Sequence, residues 1–134
     1  MKIVKLTESI AVSEQITPEN VADIAAAGYQ VLVNNRPDGE EACQPASADI
    51  AAAAQAAGLE YYYLPITAGN FPGPDFGRMR SLLDDTLRPV LAFCRSGTRC
   101  TNLWVASRDD KSMEQARAQA RQLGYDLGMS TPRT

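Results

Sequence analysis

From residue 29 onward the chain repeats one pattern three times: an apolar run, a loop rich in turn residues, and a helix-forming stretch. The apolar runs are "YQVLVNN", "LEYYYLPI" and "PVLAFC". Strands separated by a helix cannot pair as hairpins, because the crossover returns the chain in the same direction. The pattern therefore predicts an α/β fold with a central, mainly parallel sheet flanked by helices. It also places the loops after Asn34, Ile66 and Phe93 together at the carboxyl edge of the sheet, where open α/β sheets bind ligands.

Local signals fill in the elements. "KIVKL" and "SIAVS" alternate as short strands on either side of Glu8. "TPENVADIAAAG" reads as a helix with Thr17 as N-cap, Pro18 in the first turn and Gly28 as the stop. "SADIAAAAQAAG" follows the same plan, with Ser47 as cap and Gly58 as terminator. "DFGRMRSLLDDTL", "TNLWVAS" and "SMEQARAQARQLG" supply three more helices. A single domain is expected over 1–128, with a frayed tail over 129–134.

Charge and composition exclude several functions. A net charge of −3 argues against nucleic acid as a partner, since binders of nucleic acid carry a basic stripe. It leaves room for a small anionic or phosphorylated substrate at a locally positive site. No apolar stretch reaches the roughly 18 residues that span a bilayer, so no membrane partner is expected. Three cysteines and no signal-peptide pattern imply reduced thiols and a cytoplasmic location. Histidine is absent altogether, which removes Cys–His and Ser–His catalysis and most zinc sites from the chain. No metal and no cofactor are expected.

The chemistry concentrates in "FCRSGTRCTNLW", residues 93–104. Here a strand runs into a loop and then a helix, an arrangement that aims successive N–H groups at one point. Gly97 allows the loop a positive φ, the helix start adds its positive end, and Arg99 offers a bidentate clamp. The N–H groups of Arg95, Ser96, Gly97, Thr98 and Arg99 would form the anion cradle. The same field favours a thiolate at Cys94. Lowering its pKa by about three units corresponds to roughly 4 kcal/mol, within reach of such a nest. A nucleophilic Cys94 beside an anion cradle is the reading these residue types support together.

These residues resemble two families. Cys followed by Gly three positions later and then Arg is similar to the phosphate loop of tyrosine and dual-specificity phosphatases, but those enzymes place five residues between Cys and Arg. This chain has four, the spacing typical of rhodanese-type sulfurtransferases, whose cysteine carries a persulfide. The rest of the chain lacks the other rhodanese motifs. Over nearly its full length it instead resembles the bacterial beta-lactamase-hydrolase-like, protein-phosphatase-like family, some members of which are labelled sulfur transferases. The resemblance rests on "NNRPDGE", the Gln-Pro loop, "AAGLEYYYLPIT", "VLAFCRSGTR" and the Leu-Trp beyond.

That resemblance implies a dual-specificity-phosphatase-like fold and hydrolysis of phosphate monoesters through a Cys94 phosphocysteine. A Cys94 persulfide in sulfur transfer is the alternative, and a catalytically weak anion- or phosphoprotein-binding module is the third reading. Where phosphatases carry an acidic Asp, this chain has Asn70, so Asp75 and Asp38 become the candidate general acids. The position after Arg99, a Ser or Thr in those phosphatases, is Cys100, and the usual histidine before the nucleophile is Phe93.

Other residues carry two readings each. Arg36 sits in the turn "NNRPDGEE" and either shapes it or contacts substrate. Cys100 is either a resolving thiol or a Ser-sized filler, and Cys43 reads as an exposed bystander. Tyr61 and Tyr63 should face one side of their strand and Tyr62 the other. Trp104 reads as core, and Asp84–Asp85 as a solvated helix face.

Overall fold

The structure is a computed structural model of the chain and describes residues 1–130. Its elements follow the order β1 (Ile3–Lys5), β2 (Ile10–Ser13), a 3-10 turn (Pro18–Asn20) running into α1 (Val21–Ala26), β3 (Val31–Asn34) and α2 (Ser47–Ala57). Next come β4 (Glu60–Tyr63), α3 (Phe76–Asp84), β5 (Val90–Phe93), α4 (Thr98–Ala106) and α5 (Asp110–Gln122). The five strands form one sheet in the order β1-β2-β5-β3-β4. Only the outer pair β1–β2 is antiparallel; the other three pairings are parallel. The mixed but mainly parallel α/β sheet expected from the repeating pattern is therefore present.

Side chains leave each strand on alternate faces, and the core divides accordingly. Leu91 and Phe93 of β5 join Leu32, Ile24, Ile50 and Ala54 beneath α1 and α2. Val90 and Ala92 point the other way, into a cluster with Met79, Leu103, Trp104 and Ala120 from α3, α4 and α5. Cys94 continues that second alternation, so its side chain lies under the α4 face. Tyr61 packs with the first cluster and Tyr62 with the second, as period-two alternation requires.

The register brings β2, β5, β3 and β4 to a common end, with Ser13 opposite Phe93, Phe93 opposite Asn34, and Asn34 opposite Tyr63. From that edge the backbone stays paired for one residue more. Cys94 N–H donates to the Ser13 carbonyl (3.3 Å), Asn35 N–H to Phe93 (2.9 Å), and Ile66 N–H to Asn35 (3.0 Å).

Three helix starts differ from the sequence expectation, among them α5, which begins at Asp110 behind an Asp109 cap rather than at Ser112. Ser47 is the first residue of α2 rather than its cap, and its hydroxyl is bonded to the Tyr61 hydroxyl at 2.7 Å. The Ser47 N–H is satisfied instead by the Asp38 carboxylate at 2.8 Å, nine residues upstream. Helix α4 begins at Thr98, three residues earlier than the apolar pattern suggests, because Gly97 at φ 89° turns the chain directly into it. In the expected tail over 129–134, Ser130 donates from N (3.1 Å) and Oγ (2.9 Å) to Asn102 Oδ1, while 131–134 lie outside the described residues.

Candidate active site

The loop after β5 is short: three residues separate Cys94 from the first turn of α4. That brevity folds the helix start back over the sulfur. Gly97 N–H donates to Cys94 Sγ at 3.1 Å, and the N–H groups of Ser96 and Cys100 approach the same atom. The Cys100 thiol also donates to it and is the largest influence lowering the Cys94 pKa. Burial opposes this, but the backbone N–H groups and the Arg99 charge add to it, and the thiol is brought down to about 6. At neutral pH such a sulfur is about nine-tenths thiolate. Cys100 carries the opposite perturbation: wholly buried beside that sulfur, its own pKa is pushed well above the usual value. Desolvation is the chief cause.

The back of the loop is pinned by its neighbours. Gln15 N–H donates to the Arg95 carbonyl (3.2 Å), and Thr101 Oγ1 donates to the Gly97 carbonyl (2.8 Å). Asn102 ties the Thr98 carbonyl to that of Asp126, at 2.8 Å each. A Cβ on Gly97 would meet the Tyr125 hydroxyl at 3.3 Å, so the ring packs directly against the loop where φ is positive. Ser96 Oγ donates to Thr98 Oγ1 at 2.9 Å, an exposed hydroxyl pair on the loop's outer side.

Arg99 reaches across the edge to the other two loops. Its Nη1 and Nη2 grip the Glu40 carboxylate end-on, both at 2.8 Å, and Nη1 donates also to the Ile66 carbonyl at 2.9 Å. The three loops predicted to gather at this edge are thus held together by one guanidinium. Its Nε edge, the side-on fork, makes no hydrogen bond among the described residues. Glu40 also accepts from Arg36 Nε at 2.9 Å. Between these two arginines its carboxyl is held at about 2, with the Arg99 hydrogen bonds the larger cause. Glu40 therefore stays charged across the working pH range and is no proton donor.

Arg36 is buried, at 3% exposure. Its Nη1 donates to Gln15 Oε1 at 3.1 Å, while its Nη2 lies 3.3 Å from Glu41 and makes no hydrogen bond. Arg95, at 71% side-chain exposure, pairs through Nε with the same Glu41 oxygen at 3.0 Å.

The candidate acids are placed differently. Asp38 spends its carboxylate on the start of α2 and its N–H on the Tyr63 hydroxyl (2.8 Å). Asp75 flanks the start of α3, and its side chain makes no capping bond there. Asn70 accepts from Thr67 N–H at 2.7 Å and so shapes its own turn. Among the described residues neither Asp38 nor Asp75 is bonded to Cys94 or Arg99. No cluster of three or more His, Cys, Asp or Glu side chains there could hold a metal. Cys43 is exposed, and among the described residues no helix is long and apolar enough to cross a membrane.

Sequence reasoning passed over two residues. Glu40 was legible only as one of two acids following Arg36, although an acid beside a loop bearing two arginines is itself a signal. Tyr125 follows the last helix, 28 positions from Gly97, and nothing in the sequence ties them.

The site can be set beside known proteins. The chain is 34% identical over 131 residues to a beta-lactamase hydrolase-like protein of Xylella fastidiosa, and 31% identical over 105 residues to one of Agrobacterium fabrum. It spans only 30% and 24% of the lengths of those relatives. A crystal structure of a candidate phosphatase from Neisseria meningitidis superposes with TM-score 0.81 at 35% identity, covering 96% of this chain and 92% of that one. The phosphatase Tk-PTP (TM-score 0.70, 16% identity, 96% and 89% covered) and kinase-associated phosphatase (0.71, 14%, 98% and 85%) share the fold. The architecture is therefore that of the dual-specificity and protein tyrosine phosphatases. With residues 2–111 matching the family model described as beta-lactamase hydrolase-like protein, phosphatase-like domain, the chain belongs to that family.

Proposed function

We propose that this phosphatase-like domain hydrolyses phosphate monoesters through Cys94. The observation that carries this reading is the sulfur itself, held near pKa 6 by the Cys100 thiol and converging backbone N–H donors with Arg99 alongside. Cys94 Sγ attacks phosphorus and the ester P–O bond breaks. The departing oxygen takes a proton, for which we assign Asp75, since Asp38 is engaged at the start of α2. Water then attacks phosphorus, the P–S bond breaks, and inorganic phosphate leaves with the thiolate restored. The N–H groups of residues 95 to 99 and the Nε edge of Arg99 are suited to hold the three non-reacting oxygens, which carry the charge throughout.

A specific observation favours a second reading. Cys94 and Arg99 are separated by four residues, the rhodanese spacing, and the ring of donors is correspondingly small. A sulfurtransferase would hold a persulfide on Cys94 and pass its outer sulfur to an acceptor such as cyanide.

Turnover of p-nitrophenyl phosphate decides between them, run beside thiosulfate with cyanide and with Cys94→Ser in both. The phosphatase reading expects p-nitrophenol release abolished by Cys94→Ser, and a mass gain of one phosphoryl group on acid-quenched protein. Release that survives the substitution removes Cys94 from the chemistry. Thiocyanate formation without p-nitrophenol establishes sulfur transfer instead.

A further inference from the structure

Three arginines and two glutamates meet at the carboxyl edge, and their pairing is uneven. Glu40 is gripped at 2.8 to 2.9 Å by Arg99 and Arg36. Glu41, half exposed, is held by one oxygen between Arg95 and Arg36. The Arg36 end of that contact is incomplete: Nη2 is buried, 3.3 Å from the carboxylate, and has no hydrogen bond. A buried guanidinium N–H without a partner is costly and calls for an acceptor. Glu41 approaches from solvent on a flexible stem, in the manner of a carboxylate that keeps a place.

We propose that Arg36 and Arg95 form a second anion subsite beside the Cys94 loop, occupied by Glu41 when empty, and that the substrate is a small compound with a second anionic group close to its phosphoryl ester. The proposal rests on the hydrolytic reading and names the substrate class for it. Spacing follows from Glu40, one of whose carboxylate oxygens accepts from both Arg99 Nη2 (2.8 Å) and Arg36 Nε (2.9 Å). The Arg99 and Arg36 guanidiniums are thus a single oxygen apart at their closest, which suits a substrate whose phosphoryl and second anionic group are near one another and not at opposite ends of a long molecule. Planar guanidinium forks favour such oxyanions. Substrate entry then exchanges Glu41 for the second group, and the two charges left on Arg36 and Arg95 remain balanced.

Calorimetry on the full chain compares imidodiphosphate, two linked phosphoryl groups that resist hydrolysis, with inorganic phosphate at matched ionic strength. The subsite predicts at least tenfold tighter binding of imidodiphosphate. Because Arg36 is buried and its loss could unfold the loop, the exposed members carry the test. Arg95→Gln should reduce the preference about threefold, the scale of one exposed charge pair, and Glu41→Gln should raise it by a similar factor. Equal affinities, failure to bind either anion, or a preference untouched by both substitutions overturns the subsite. Imidodiphosphate preference in a protein that leaves p-nitrophenyl phosphate intact sinks the hydrolytic reading and keeps the subsite. Hydrolysis without the preference does the reverse.

Discussion

The nucleophile's ionisation depends on one neighbour more than any other. Cys100 follows Arg99, and its thiol donates to Cys94. A hydroxyl in its place can donate equally well, whereas a methyl group cannot. Cys100→Ala should therefore raise the Cys94 pKa from about 6, and Cys100→Ser should leave it low. Thiolate absorbance at 240 nm, titrated from pH 4.5 to 9 with Cys94→Ser as the blank, reads the midpoint directly. An unmoved midpoint in Cys100→Ala would assign the shift to the backbone N–H groups and the Arg99 charge. At this scale the sequence was informative about Cys94, Gly97 and Arg99 because they lie within six residues of one another. It left Cys100 open between two readings, since whether a thiol points at its neighbour depends on where the helix starts.

The loop from Asn35 to Ala46 is the element that completes the edge. One of its acids, Glu40, holds Arg99 end-on through both Nη atoms, leaving Nε without a hydrogen bond among the described residues. Without that carboxylate Arg99 keeps, among the described residues, only its hydrogen bond to the Ile66 carbonyl and loses its orientation. Glu40→Gln should raise KM for p-nitrophenyl phosphate and weaken inhibition by phosphate about tenfold, with a smaller change in kcat. A loss confined to thermal stability, with KM unchanged, would mark Glu40 as a structural tie only. Sequence pattern placed this loop beside Cys94 correctly, from the common carboxyl edge that repeated parallel crossovers imply. It could not show that Glu40 reaches Arg99, 59 residues away, or that Asp38 rather than Ser47 serves the start of α2. Such contacts are set by how two loops approach each other, and no local propensity encodes that.

A thiolate buried in the sheet edge also couples the site to the stability of the whole molecule. Folding lowers the Cys94 pKa from 9.0 to about 6, so between those values the unfolded chain binds a proton that the native chain has released. Stability from this group is full above pH 9 and is lost as pH falls through 6. The linkage amounts to a few kcal/mol, a substantial fraction of what holds a domain of this size. Glu40, lowered from 4.5 to about 2, has the same sign in a separate and more acidic window. Cys100, raised, acts oppositely and only where a free thiol would ionise, so it erodes stability in the alkaline range. Urea unfolding of the wild-type chain and Cys94→Ser, compared at half-unit steps from pH 5.5 to 8.5, isolates the first of these. The wild-type free energy should climb relative to the variant by about 1.4 kcal/mol per pH unit through the middle of that range. A difference that stays flat would mean that the native sulfur carries its proton, and with it the thiolate nucleophile would fall.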